Sequence, residues 1–345
     1  MKVAGVPRRT IAPLADGAIE IIDQTLLPGR FALRRLATLD EAAEAIATMR
    51  VRGAPLIGVT AAYGLALGLR ADPSDAGLQA ACARLLATRP TAVNLRWGLD
   101  AVRREVAPLA PAQRAAAAWT LAGRLAEDDV ATCRAIGEHG ATLLKGLAER
   151  RGGQALRVMT HCNAGWLATV DWGTALAPVY TLHDAGVPLQ VWVSETRPRN
   201  QGRLTAWELG QHGVPHTFLV DSAAGHLLQR GEVDVVVVGT DRTTRAGDVT
   251  NKIGTYLKAL AAKEAGVPFY AAVPGSSIDW TLANALDVPI ENRAALEVAD
   301  DPALPVANPG FDVTPARLVT GLITERGVCA ASRGGLAQLF PERAT

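Results

Sequence analysis

Cysteine is scarce in this chain, aromatic residues are few, and neither sign of charge prevails. Four cysteines stand in 345 residues: Cys82, Cys133, Cys162 and Cys329, far apart and without a CxxC pair. That excludes a dense disulfide framework and points to reduced thiols in a cytoplasm. Thirty-five basic against 34 acidic residues leave a net charge of +1. No global positive field therefore draws the chain to nucleic acid or a membrane surface, and any bound anion must be held by local groups. Lysine is nearly as scarce, limited to Lys2, Lys145, Lys252, Lys258 and Lys263, so a lysine within a motif carries weight. No apolar run precedes the first charges, so no signal peptide is expected. The one membrane-like stretch, uncharged from Gly53 to Leu69, is slightly shorter than the ~20 residues a bilayer requires. Its four glycines and one proline fit a buried helix with a small-residue face. No GxGxxG follows a strand, no Walker lysine loop or GxSxG elbow occurs, and His161, His183, His212, His216 and His226 lack metal-ligand spacing.

What is present is a globular composition, 49% apolar and 20% charged, at a length suited to two domains. Residues 1–150 read as a mainly helical domain after a short β start. Ala18–Asp23 and Arg30–Leu33 could pair across Leu27-Pro28-Gly29. Thr38-Leu39-Asp40-Glu41 has the form of a capping box before a helix running through Met49. A second helix is expected over Val93–Val106, with Leu95, Leu99, Val102 and Val106 on one face, and a third over Gln113–Arg150, ended by Gly152-Gly153. Residues 151–345 read as a Rossmann-like α/β domain with a mostly parallel sheet. Apolar runs at Leu156–Met159, Leu189–Val193, Thr217–Val220, Val233–Val238 and Phe269–Val273 alternate with helix-length segments. Three of those segments end in Gly-Val-Pro, at Gly186, Gly213 and Gly266, where Gly suits a left-handed helix end and Pro the start of a strand. A βα repeat of this kind builds a parallel sheet buried on both faces.

Ligands of such sheets bind beyond the carboxyl ends of the strands. There the sequence puts His161-Cys162-Asn163, Ser194-Glu195-Thr196-Arg197, Asp221-Ser222, Gly239-Thr240-Asp241 and Pro274-Gly275-Ser276-Ser277. Cys162, ahead of a possible helix start, is either a reactive thiolate or a small buried hydrophobe. Asp241, at the mouth of an apolar strand, is either a desolvated proton donor or a turn residue. Lys252, at a predicted helix N-terminus, needs an anionic partner. Arg197, Arg199 and Arg203 crowd one loop and favour anion binding over a merely solvated basic face. Arg52-Gly53-Ala54-Pro55 reads as a helix start whose N–H groups could receive a phosphate. Arg96, beside Trp97, is expected to be buried against a partner charge. Cys82, Cys133 and Cys329 are expected to be inert.

Several segments together resemble the methylthioribose-1-phosphate isomerase family of methionine salvage. They are Met49–Pro55, Thr160–Gly165, Ser194–Pro198, Asn200-Gln201-Gly202, Gly239–Arg242, Asn251–Thr255 and Phe311–Pro315, in order over about residues 20–330. The wider family also holds ribose-1,5-bisphosphate isomerases and regulatory subunits of the eukaryotic initiation-factor exchange complex. The resemblance implies a homodimeric, metal-free aldose–ketose isomerase without cofactor, its site at the domain interface. It implies Cys162 and Asp241 as the catalytic pair, and Arg52, Gly53, Ala54, Arg96, Gln201, Asn251 and Lys252 as sugar-phosphate ligands. The segment Asn200–Thr205 is one residue shorter than the family pattern, which alters the loop beyond Gln201 and leaves Arg203 without an assigned role. Retention of both Cys162 and Asp241 argues against a subunit that only binds. A bisphosphate substrate would demand a second cationic site where a methylthio group demands an apolar slot, for which Trp97, Trp166 and Tyr63 are candidates.

The chemistry explains why such groups are needed. An esterified anomeric oxygen prevents free ring opening, so an acid must protonate the ring oxygen. Hydrogen must then move from C2 to C1. Neutral Asp241 suits the first task and Cys162 thiolate the second, each positioned group being worth ~10²–10⁴ in rate.

Overall fold

The computed structural model describes residues 1–90 and 92–343, and the chain divides into two compact units. The first consists of Met1, Val6–Ala131 and Trp166–Asp171. The second consists of Lys2–Gly5, Thr132–Gly165 and Trp172–Thr345. After the two-residue strands Lys2–Val3 (β1) and Val6–Pro7 (β2) come Ile11–Pro13 (β3), Ile19–Ile22 (β4) and Leu33–Leu36 (β5). These three form an antiparallel sheet, with Ile19 opposite Leu36 and Ile22 opposite Leu33. The last strand starts three residues later than the expected Arg30. Asp23 caps a 3-10 turn over Gln24–Leu26 that diverts the chain.

Helices follow: Leu39–Ala47 (α1), Ala54–Ala71 (α2), Asp75–Leu86 (α3), Val93–Val106 (α4) and Pro111–Glu149 (α5). The capping box forms as expected, Thr38 Oγ1 accepting from Glu41 N–H while the Glu41 carboxylate accepts from Thr38 N–H. Helix α1 stops at Ala47, two residues short of expectation. Helix α2 is buried without interruption from Leu56 to Leu69. Among the described residues it alone has the length and apolarity to cross a membrane, yet it is the core of the first unit. Its small-residue face sets the packing distance. A Cβ on Gly98 of α4 would lie 2.5 Å from Gly58 O, and one on Gly58 would lie 2.7 Å from Asn94 O. The two glycines thus let the helices approach closer than any side chain permits. The division between units falls inside α5, between Ala131 and Thr132, so one unbroken helix contributes to both. The helix itself ends at Glu149, just before Gly152-Gly153.

The second unit contains Leu156–Thr160 (β6), Ala177–Asp184 (α6), Leu189–Ser194 (β7), Gly202–His212 (α7), His216–Leu219 (β8), Ala223–Gln229 (α8) and Val235–Val238 (β9). Then come Arg242–Thr244 (β10), Val249–Lys252 (β11), Thr255–Glu264 (α9), Phe269–Ala272 (β12) and Ile278–Asp279 (β13). Phe311–Thr314 (β14), Gly321–Thr324 (β15), Gly327–Cys329 (β16) and Arg333–Leu339 (α10) complete it. The main sheet has the order β16-β15-β12-β9-β6-β7-β8. Its strands are parallel except β16, which runs antiparallel to β15. All four valines of β9 are buried, as a central strand covered on both faces requires. Each Gly-Val-Pro triplet works as expected. Gly186, Gly213 and Gly266 have φ of +77°, +77° and +67° and turn a helix end into the next strand.

A second sheet, β13-β10-β11-β14, was not expected. Asn251 and Lys252 end β11 instead of opening a helix, and α9 begins at Thr255. The largely polar, fully buried Val-Thr-Asn-Lys strand pairs with β10 and β14, distant or short partners that leave little local signal.

Candidate active site

Cys162 lies two residues beyond β6 and Asp241 three beyond β9, and these strands are parallel neighbours. The two loops touch. A Cβ on Gly239 would come within 2.6 Å of Ala164 Cβ, so glycine lets the Asp241 turn pack against the Cys162 turn. The helix expected after Cys162 does not form there. Residues Trp166–Ala168 make one 3-10 turn, and the next α-helix is α6 at Ala177. Hydroxyl groups hold the cysteine backbone instead. Its N–H donates to Thr196 Oγ1 at 2.8 Å, and its carbonyl accepts from Thr205 Oγ1 at 2.8 Å. Cys162 has φ +65°, a left-handed conformation that a side chain adopts only when its surroundings impose it.

Asp241 N–H donates to Thr250 O at 2.9 Å, fixing the turn against β11. Two residues on from Thr250 stands Lys252, only 4% exposed. Burial lowers the pKa of its ammonium group, while Cys162 and Asp241 both act on it in the opposite sense. The thiol and the carboxyl therefore each lie within electrostatic reach of the ammonium. Lys252 Nζ is 5.2 Å from the Phe311 ring centroid, a cation–π contact that favours the charged form. Asn251 is buried and donates through Nδ2 to Thr255 Oγ1 at 3.0 Å. The N-terminus of α9 has a carboxylate of its own. Asp312 accepts from Gly254 N–H at 2.7 Å and Tyr256 N–H at 3.1 Å. Burial nevertheless pushes the Asp312 pKa up to about 6, those N–H groups opposing.

Beneath Cys162 lies a polar cluster whose parts the sequence placed at the sheet edge without assigning them roles. His161 is buried, with Nε2 2.8 Å from Ile253 O. A carbonyl only accepts, so Nε2 carries the hydrogen. Burial and the Lys258 charge lower the His161 pKa, leaving a neutral ring whose Nδ1 accepts. Asp221, just beyond β8, accepts from Ser194 Oγ at 2.5 Å, Thr196 N–H at 2.9 Å and Arg197 N–H at 2.7 Å. Burial opposes its ionisation, but Ser194 and the Lys258 ammonium 3.5 Å away hold its pKa below the ordinary carboxylate value.

The arginine loop differs from expectation. Arg199 pairs with Glu297 at 2.7 Å, and Arg197 Nη2 donates to Val298 O at 3.0 Å. Two of the three guanidinium groups thus clasp the chain before β14, and Arg203 points to solvent. Burial opposes ionisation of Glu297, yet Arg293 and Arg199 bring its pKa down to about 2. Gln201 behaves differently. Gln201 Oε1 and Asn200 Oδ1 are buried acceptors without a hydrogen-bond partner among the described residues. Gly202 is required for this turn, since its Cβ would fall 2.1 Å from Ser194 O.

In the first unit, Gly53 has φ +102° and precedes α2, with Pro55 in the first helical turn as expected. Its close approach is to protein: a Cβ there would stand 2.4 Å from Ala168 Cα. Arg52 and Ala54 are partly buried beside it. Arg96 is exposed, contrary to expectation, because α4 buries Asn94, Leu95, Gly98 and Leu99 and turns Arg96 and Trp97 outward. Tyr63 and Trp166 are fully buried core residues. Among the described residues no three His, Cys, Asp or Glu side chains gather as a metal site.

Residues 50–331 match the Initiation factor 2 subunit family. The chain is 63% identical to a methylthioribose-1-phosphate isomerase of Methylorubrum populi, over 99% of both proteins. Its fold matches the crystal structure of 5-methylthioribose 1-phosphate isomerase from Pyrococcus horikoshii OT3. The TM-score is 0.86 at 38% identity, covering 97% of this chain and 96% of that one. The crystal structure titled translation initiation factor eIF-2B, subunit delta, from A. fulgidus matches with TM-score 0.83 at 38% identity, covering 97% and 100%.

Proposed function

The chain belongs to the Initiation factor 2 subunit family, among its methylthioribose-1-phosphate isomerases, and from this we infer how its sheet edge performs an aldose–ketose isomerisation. The reaction converts 5-methylthioribose 1-phosphate to 5-methylthioribulose 1-phosphate, a step of methionine salvage. The observation that carries the residue assignment is the buried Lys252 ammonium acting on both Cys162 and Asp241.

Charge balance gives the pair its roles. One ammonium offsets one anion, and a second ionised acid in a dry site would leave negative charge unbalanced. With Cys162 as thiolate, Asp241 keeps its proton. Asp241 then delivers that proton to the ring oxygen as the C1-phosphorylated ring opens. Cys162 takes a proton from C2 and the exchangeable thiol returns a proton to C1, while the C2 hydroxyl gives its own proton to the Asp241 carboxylate, which leaves an enolate between the two steps and restores the acid. Lys252 meets the developing enolate charge, a contribution that strengthens as the transition state forms. The unpartnered Gln201 Oε1 suits a sugar hydroxyl donor. Asn251, Arg52, Gly53, Ala54 and Arg96 are assigned to the sugar phosphate on the family resemblance. A cytoplasmic homodimer acting on a free sugar phosphate, without metal, is the form this reading takes.

Purified protein assayed on both 5-methylthioribose 1-phosphate and ribose 1,5-bisphosphate tests the assignment. Turnover of the first in preference to the second is expected. Preference for the bisphosphate, or binding without turnover, would move the chain to another branch of its family. Light scattering on the same sample reads the oligomeric state.

A further inference from the structure

Cys162 and Thr196 both have left-handed backbones, at φ +65° and +64°. For a β-branched residue such as Thr196 that is a genuine outlier. Such conformations persist only where neighbouring groups over-determine them, and here the groups can be named. The Asp221 carboxylate binds the Thr196 N–H at 2.9 Å, the Arg197 N–H at 2.7 Å and the Ser194 hydroxyl at 2.5 Å. It thereby gathers one hydroxyl and two backbone N–H groups of the four-residue stretch 194–197 at the end of β7 around one anion. Lys258, 3% exposed, balances that charge from 3.5 Å.

The Thr196 hydroxyl is held as firmly as its backbone. It accepts from the Cys162 N–H at 2.8 Å. Its own hydrogen has two acceptors, Ser194 O at 3.0 Å and the bare His161 Nδ1 at 3.4 Å. His161 in turn reaches Ile253 O through Nε2. His161 precedes Cys162 in the chain, and Ile253 follows Lys252. The cluster thus ties the backbone on the thiol side to the backbone on the ammonium side.

We propose that Thr196, locked by Asp221, is a positioning residue that fixes the Cys162 backbone so that its thiol is presented to Lys252 and Asp241. Thr196 touches no reacting atom in this role. It supplies the acceptor that the Cys162 N–H needs in a conformation that places this donor away from the regular sheet ladder. Without it, a buried donor is unsatisfied and the turn can relax to a right-handed backbone, swinging the thiol away. The proposal rests on Cys162 being the catalytic thiol, and the test separates the two.

The variants are Thr196→Val, which keeps shape and branching but removes the hydroxyl, and Thr196→Ser, which restores it. Two quantities are read: kcat against KM on 5-methylthioribose 1-phosphate, and the pH profile of iodoacetamide alkylation at Cys162, followed by peptide mass. The charged or titratable groups that face this region are His161, Glu195, Asp221, Asp241, Lys252, Lys258 and Asp312, with Arg293 and Glu297 also acting on Lys252, and all of them are retained in both variants. Thr196→Val is expected to lower kcat about tenfold or more, with KM within about threefold, since misplacement of a reacting group acts on the chemical step. It is also expected to shift the alkylation profile, and Thr196→Ser to bring both readings back to wild type. A Thr196→Val protein with wild-type kcat and alkylation profile overturns the proposal, and so does a Thr196→Ser variant equally impaired. Should Thr196→Val fail to fold, Asp221→Asn carries the same test, because it slackens the Thr196 backbone and leaves the hydroxyl in place. Cys162→Ser is the separate control. Full activity there removes Cys162 from catalysis, while the alkylation profile of the Thr196 variants still reports the thiol's position.

Discussion

Replacing Lys252 with methionine separates what the buried ammonium does for the reaction from what it costs the fold. The side chains are of similar length, and the site is 4% exposed, so packing is nearly conserved. Two energetic effects compete. Removing one partner of a buried ion pair commonly costs about 3–5 kcal/mol, because the other charge is left unbalanced. Replacing a buried charge by an apolar group of similar volume is neutral or stabilising by about 1–4 kcal/mol when no unbalanced charge remains. Here the second effect wins near neutral pH, because Cys162 or Asp241 can take up a proton once the ammonium is gone. Burial lowers the folded-state pKa of Lys252 below its unfolded value. The unfolded chain therefore binds more protons in that window, and wild-type stability rises as pH climbs towards the ordinary lysine pKa. Lys252→Met lacks this rise. Its Tm at pH 7 should equal or exceed that of wild type, and the advantage should shrink at pH 9 and above. Turnover should fall by about 10²–10³, the usual cost of deleting a preorganised electrostatic group. Thermal unfolding across pH, with steady-state kinetics on the same samples, reads both. A variant that is both less stable at pH 7 and fully active would refute the reasoning.

Four other substitutions and one isotope experiment extend the account. Gly53→Ala meets both a φ of +102° and Ala168 backbone at 2.4 Å, and should cost about 2–4 kcal/mol of stability in denaturant unfolding. Gly98→Ala, aimed at Gly58 O from 2.5 Å, should force α2 and α4 apart and lower Tm by several degrees, while Gly152→Ala, with nothing within 4 Å, should show only its φ strain. Asp312 has a folded pKa of about 6 against 3.8, so it contributes stability below about pH 4 that is lost as pH rises to about 6. Asp312→Asn should abolish up to about 3 kcal/mol of that pH dependence, visible as a flatter Tm profile between pH 4 and 6. Substrate deuterated at C2 and turned over in ordinary water should lose label at C1 to solvent exchange, whereas full retention would favour a direct hydride shift.

The strands of the main sheet were legible because a parallel sheet buried on both faces demands continuous apolar runs, and the Gly-Val-Pro triplets mark where each begins. Helices α1 and α4 were legible from a capping box and a 3.6-residue rhythm. The second sheet was not, because Arg242–Thr244 and Val249–Lys252 are short, polar strands, and the second of them pairs with Phe311–Thr314 some 60 residues away in sequence. The phase of Arg96 was misread for a simpler reason: Asn94 and Gly98 mark the buried face of α4, and neither looks apolar. At the site, the positions of Cys162 and Asp241 at the sheet edge followed from the strands before them, while their pairing as thiol and acid came only from the family resemblance. The cluster of His161, Thr196, Asp221 and Lys258 did not, since its members are joined across gaps of 25 to 37 residues by hydrogen bonds and an ion pair. No sequence pattern encodes which hydroxyl will accept from which N–H. The arginine loop was misassigned because Glu297 and Val298, which engage Arg199 and Arg197, lie about a hundred residues downstream.

The account stands on Cys162 and Asp241 dividing one base and one acid between them. Pre-steady-state turnover of 5-methylthioribose 1-phosphate by Cys162→Ser, Asp241→Asn and the double variant measures this most directly. Each single change should slow the chemical step by about 10² or more with little change in substrate affinity, and the double variant should be far less impaired than the product of the two. Either single variant isomerising at the wild-type rate would contradict it.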